Sequence, residues 1–165
     1  MDAVRAGYQR TEVGDIPEGW TVHTLGELGE TLIGLTYRPE DVAPEGTLVL
    51  RSSNIEDGQL ALDDCIRVRS VVPSRIMVRD GDILVCVRNG SRGLIGKSLR
   101  LDNQVRGMTF GAFMSVYRSE LSEFLCWHFQ SGAIKKQIDE HLGATINQIT
   151  SGNLNRFLAL QRGSR

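Results

Sequence analysis

Proline is scarce in this sequence of 165 residues: there are 4, and no two are adjacent. A methyltransferase would need a Gly-rich cofactor loop with an amide-or-acid, Pro, Pro, aromatic motif, and the lack of any Pro-Pro pair excludes it. Cysteine is equally sparse. Cys65, Cys86 and Cys126 are odd in number and widely spaced, which argues against a disulfide framework and against a CxxC-type zinc site. Cys126 and His128 stand at the wrong spacing to share one helical face. No cysteine lies in a recognisable elbow or beside a clear base, which leaves a cysteine hydrolase only a Cys and His pair brought together by folding. The clustered carboxylates and lysine of a metal-dependent nuclease are missing too. Asp80 and Asp82 flank the turn residue Gly81, no Glu-x-Lys follows, and both read as turn formers. No apolar run is long enough to span a bilayer, and Met1-Asp2-Ala3-Val4-Arg5 lacks the apolar segment of a signal peptide. The expectation is a cytoplasmic, non-catalytic protein with no catalytic residue, no metal, no cofactor and no membrane partner.

What is present is ordinary in amount and uneven in placement. With 41% apolar and 24% charged residues the chain suits one domain with a real core. The net charge of −1 hides an asymmetry: residues 1–64 hold 4 basic and 13 acidic residues, 65–106 hold 9 and 3, and 107–165 hold 6 and 4. A basic segment concentrated in this way presents a local positive field to a polyanion even when the whole chain is near neutral.

The centre of that segment is Arg79 to Lys97. Asp80-Gly81-Asp82 forms a turn into Ile83-Leu84-Val85-Cys86-Val87, an apolar run too short for an amphipathic helical stripe and suited to a strand buried on both faces. Cys86 there is a small buried hydrophobe. The run ends in a loop with Gly90, Gly93 and Gly96, where the backbone can turn tightly or approach another surface. The loop carries Arg88, Arg92 and Lys97; arginine offers forked donors suited to phosphate or guanine.

Around it the pattern is mostly extended. Residues 1–15 are polar and lack periodicity, and read as a loose leader ahead of the Ile16-Pro17-Glu18-Gly19-Trp20 turn. Short strands are expected over 21–25, 31–34, 47–51, 65–68, 70–72, 74–78, 98–101 and 109–118, with 98–101 pairing back on 83–87. A helical turn is expected over 26–30. Then the period changes. A helix capped by Ser119 or Ser122 runs through His128 and Phe129, and a second, from about Gly132 to Leu142, aligns Ile134, Ile138 and Leu142 on one stripe until Gly143 stops it. Ile146, Ile149, Leu154, Phe157 and Leu158 are expected to return to the core. The fold class is therefore α+β: a single globular domain with a strongly twisted, barrel-like β-sheet and a few helices towards the C-terminus. Residues 161–165 have the look of a truncated or artificial end rather than a natural terminus.

The order of these motifs has a likeness. Thr11 to Trp20, Leu25-Gly26-Glu27-Leu28, Leu50 to Gly58, Gly81-Asp82-Ile83-Leu84, Thr109 to Met114, and Gly143-Ala144-Thr145 with Ile149 and Leu154 together resemble the DNA specificity subunit of type I restriction-modification systems over about residues 8–160. The resemblance implies a target recognition domain at residues 16–160, a mixed α/β globule whose loops read one half of a bipartite site in double-stranded DNA. Modification (methyltransferase) and restriction subunits are then the expected partners, docked through long conserved helices missing here, and catalysis is expected in those partners.

Base-reading residues are chosen on physical grounds within that expectation. Arg88, Asn89, Ser91, Arg92 and Lys97 lie on the Gly-rich loop, where Arg or Lys suits guanine O6 and N7 and Asn suits adenine N6 and N7. Arg51, Ser52 and Asn54 follow a strand end, and Thr36, Tyr37 and Arg38 occupy a neighbouring loop. Arg75, Arg79, Arg100 and Arg106 are expected on phosphates, which fix register without specifying sequence. The competing expectation is a protein-interaction module that does not bind DNA and uses the C-terminal helices.

Overall fold

The computed structural model describes residues 2–142 and 147–163. The chain opens with β1 (Tyr8–Thr11), β2 (Gly14–Pro17) and β3 (Trp20–Thr24), turns once as α1 (Leu25–Leu28), and continues through β4 (Glu30–Ile33) and β5 (Val42–Leu50). Two very short strands, β6 (Ile55–Glu56) and β7 (Gln59–Leu60), lead to β8 (Ile66–Val68), β9 (Ile83–Cys86), β10 (Ser98–Arg100), β11 (Met108–Phe110) and β12 (Met114–Arg118). The helices α2 (Ser122–Gln130), α3 (Ala133–Leu142) and α4 (Ser151–Arg156) precede a last strand, β13 (Leu158–Arg162).

The apolar run read as a doubly buried strand is β9, and all its residues are buried. It lies inside an antiparallel sheet of order β10-β9-β12-β4. Because side chains alternate across a strand, Ile83 and Val85 enter a core with Leu25, Tyr117, Leu125 and the α3 stripe Ile134, Ile138 and Leu142. Leu84 and Cys86 point the other way, into a core with Leu32, Leu50, Phe110, Met114 and Val116. A strand that separates two cores has no face left for a polar residue. The pairing of 98–101 with 83–87 is present, with Leu99 opposite Leu84.

The second core is closed by a sheet of order β11-β5-β8, in which β11 runs parallel to β5. The remaining strands pair as β1-β2, β3-β13 and β6-β7. Among the described residues these sheets stay separate, so the α+β class holds while the barrel-like expectation does not: no closed barrel forms. The strand spacing gave the right element type, but closure depends on whether the sheet's end strands, β10 and β4, meet.

Other departures have local causes. Residues 8–17 form the β1-β2 hairpin, held by the Arg10–Asp15 pair at 3.2 Å and by the Thr11 hydroxyl donating to the Gly14 carbonyl at 2.7 Å. Ser74–Ile76 is a 3-10 turn and residues 70–72 form no strand. Neither Ser119 nor Ser122 caps α2. Ser119 Oγ donates to the Leu28 carbonyl at 2.6 Å, and Ser122 Oγ accepts from Arg100 Nε at 3.3 Å. Gly143-Ala144-Thr145 and Ile146 lie outside the described residues. Asp82 does more than form a turn. Its buried carboxylate takes both Nε and Nη2 of Arg118 at 2.9 Å and the Arg79 amide at 2.8 Å. No described helix is long and apolar enough to cross a membrane.

Candidate nucleic-acid interface

Register sends several chain segments to one side of the molecule. Phe110 pairs with Leu50 in the parallel sheet, Met114 with Cys86 and Ser115 with Ile33 in the central one, so β4, β5, β9 and β11 all end together. The loops that follow them converge. Leu35 bridges to Gly111, and at Gly34 the backbones are so close that a side-chain carbon would overlap the Gly111 carbonyl. Between these loops lies a cleft of about 630 Å³ that is lined by Thr36 and Tyr37, Arg51 and Ser52, and Arg88 and Asn89.

Three stretches chosen separately from the sequence are therefore brought together, and several chosen residues are not. Asn54 is fully buried. Its amide accepts from the Arg51 backbone at 2.9 Å and donates to the Ala61 and Asp64 carbonyls at 2.8 and 3.0 Å, which makes it a staple inside the loop and takes it off any reading surface. Arg38 and Ser91 are exposed but do not line the cleft. Arg92 reaches away, donating to Asn147 Oδ1 at 3.2 Å and to the Leu142 carbonyl at 3.4 Å, so it ties its loop to the end of α3. Lys97 is half-buried beneath, with its ammonium on the Ser52 carbonyl at 3.2 Å.

The four arginines expected on phosphates sit elsewhere. Arg100 pairs with Ile83 at the start of β9, Arg79 lies on the turn before it, and Arg75 meets Glu30 Oε2 at 3.4 Å beside them. Arg106 precedes β11, at the end of that strand remote from the cleft. At about 3.3 Å per residue, the length of the strands themselves separates these groups from the cleft.

Within the cleft the donors are unequally committed. Arg51 is held by Asp64, with Nη2 at 3.1 Å from its carbonyl and 3.5 Å from its carboxylate, while the buried Nε has no hydrogen-bond partner among the described residues. Asn89 donates to Ser52 Oγ at 3.4 Å and accepts the Ser91 amide at 2.9 Å. Arg88 differs. Its guanidinium lies over the Phe113 ring, 4.8 Å from the centroid, and both Val87 and Arg88 donate backbone N–H groups to the Phe113 carbonyl, at 3.0 and 3.2 Å. Burial pushes the thiol of Cys86, under this loop, up, and the thiol donates to the Arg88 carbonyl at 3.7 Å. The cleft thus offers hydrogen-bond donors, hydroxyls and an aromatic face.

Phe113 was missed because residues 109–118 read as one strand. The structure breaks that stretch into β11 and β12 with a turn at Gly111-Ala112-Phe113, closed by Met114 N–H to the Gly111 carbonyl at 2.9 Å, which leaves Phe113 57% exposed. The signal was available. A glycine inside a strand pattern marks a bend.

Both the sequence and the fold have counterparts among known proteins. The chain is 27% identical over 145 residues to the specificity subunit of type I restriction enzyme EcoKI from Escherichia coli K12, and 27% identical over 147 residues to that of StySPI from Salmonella potsdam. Each match covers 82% of this chain and 31% of the relative, so the chain spans about a third of the length of these proteins. Among solved structures, the HsdS subunit of Thermoanaerobacter tengcongensis superposes on 95% of this chain and 36% of its own, with a TM-score of 0.66 and 16% identity. A chain from a structure described as underlying complex assembly and conformational transition of a type I system superposes with a TM-score of 0.68 at 17% identity, over 94% of this chain and 37% of that one. No family model matches the chain. In sequence and in fold, this chain resembles one region of the specificity subunits of type I restriction-modification systems.

Proposed function

We propose that residues 16–160 form a non-catalytic target recognition domain that reads one half of a bipartite site in double-stranded DNA. It serves as the specificity component of a type I restriction-modification complex. The observation that carries this is the cleft itself: loops from four strands of two sheets converge there, and its lining holds forked donors, hydroxyls and an exposed aromatic ring. Such groups read base edges, whereas contacts that only position a duplex need no convergence. Methylation and cleavage belong to modification and restriction subunits, in the cytoplasm. One half-site reader lacking those partners binds weakly.

Fluorescence anisotropy with a random-sequence duplex pool across a salt series, followed by sequencing of the retained DNA, tests this. The expected result is binding that weakens steeply with salt, with one short motif enriched. Binding that ignores salt would point instead to an apolar contact such as the exposed face of α2, where Trp127 is 65% exposed.

A further inference from the structure

The cleft residues differ in what they have left to offer a ligand. Asn89 has its amide occupied on both sides, Arg51 is held by Asp64, and Lys97 lies on a backbone carbonyl. Asn89, although its residue type suits adenine, is thereby a loop-shaping group. Arg88 alone of the cleft cations has no hydrogen bond or ion pair on its guanidinium among the described residues. Arg88 is exposed, its guanidinium carbon lies 4.8 Å from the Phe113 ring centroid, and the same phenylalanine holds the Arg88 backbone through its carbonyl. A planar fork of donors held against an aromatic face and open to solvent matches the paired O6 and N7 acceptors of guanine in the major groove.

We propose that Arg88 reads a guanine in the half-site and that Phe113 is a positioning residue that holds the guanidinium for it. The proposal rests on the target recognition function above and names the base at one position. Arg88 is the specificity determinant; Asn89, Arg92 and Lys97 shape the loop that presents it.

The test compares the full chain with Arg88→Ala, Phe113→Leu and Phe113→Tyr in the same selection from random duplex DNA, with thermal melting as a check of folding. The wild-type chain enriches a motif with a guanine column. Arg88→Ala abolishes the preference in that column alone, a loss of roughly five- to 150-fold in discrimination, and leaves the other columns and the melting temperature unchanged. Phe113→Leu weakens the same column several-fold, and Phe113→Tyr restores it; a phenylalanine that served packing alone would not change one base preference. If Arg88→Ala retains every column of the wild-type motif, the assignment of Arg88 is wrong while the recognition function stands. If the wild-type chain enriches no motif at any salt, both fall together.

Discussion

Both ends of β9 carry arginine, and Arg118 at one end and Arg88 at the other use it in opposite ways. At the strand's start, Arg118 is locked into Asp82 by two contacts of 2.9 Å and also donates to the Arg75 and Met77 carbonyls, at 3.3 and 3.2 Å. Asp82 in turn pushes the Arg118 guanidinium further up than its ordinary value, mainly through their hydrogen bonds. Arg100 is bound to Ser122 and Arg75 to Glu30. At the strand's end, Arg88 faces solvent over a ring. The same side chain builds the molecule where carboxylates and carbonyls surround it, and presents donors where they do not. Charge counted along the sequence cannot separate the two.

The contrast breaks most sharply at Asp82. Asp82→Ala should cost about 3–5 kcal/mol, because Arg118 would stay mostly enclosed without the carboxylate it pairs with, and urea denaturation reads this directly. Arg88→Ala should stay within about 0.5 kcal/mol in the same experiment; equal losses from the two would erase the distinction between a building arginine and a presenting one. A smaller effect is expected at Asn54. Asn54→Ala leaves buried backbone groups of the 51–64 loop unpaired, at about 1–3 kcal/mol, and should weaken DNA binding only as far as the loop loosens, so a large binding loss without any loss of stability would return Asn54 to the reading surface.

The smallest effect is one of pH, and it concerns neither end of β9. His128 is half-buried on α2, and its Nε2 accepts the Leu160 amide at 3.1 Å, joining α2 to β13. Burial lowers its pKa. The folded protein therefore binds fewer protons at this site than the unfolded chain. Its contribution to stability is complete above the unfolded value, about 6.5, and is lost as pH falls below it. Urea midpoints at pH 7.5 and pH 5.5 should show that loss, and His128→Gln should reduce it; an unchanged pH dependence in the variant would remove His128 from the account.

How far the site could be read from the sequence follows from where its information lies. That Arg88, Asn89, Arg51, Ser52, Thr36 and Tyr37 lie on loops was legible because each follows a strand that its own neighbours specify. At Asn54 and Lys97 residue type suggests an available donor, and only packing shows that the donor is already bound. Phe113 was hidden inside a strand pattern that its glycine interrupts. The loose leader was a similar case: its polar residues close a hairpin through one ion pair and one hydroxyl, both of which depend on the turn.

The sequence alone determined β9 as a strand buried on both faces, its pairing with β10, and the stripe of α3. In each case a local run of apolar residues has one spacing compatible with burial. It also determined the likeness to specificity subunits, which lies in the order of motifs along the chain. Tertiary structure alone decided that four loops form one cleft, that the phosphate candidates sit at the far end of the strands, and that the sheets do not close. These depend on the parallel pairing of β11 with β5 and on the register of β12 between β9 and β4, which join residues distant in the chain. Periodicity specifies which face of a strand is buried. It carries no information about which distant strand will lie alongside, or which side-chain donors that neighbour will have occupied.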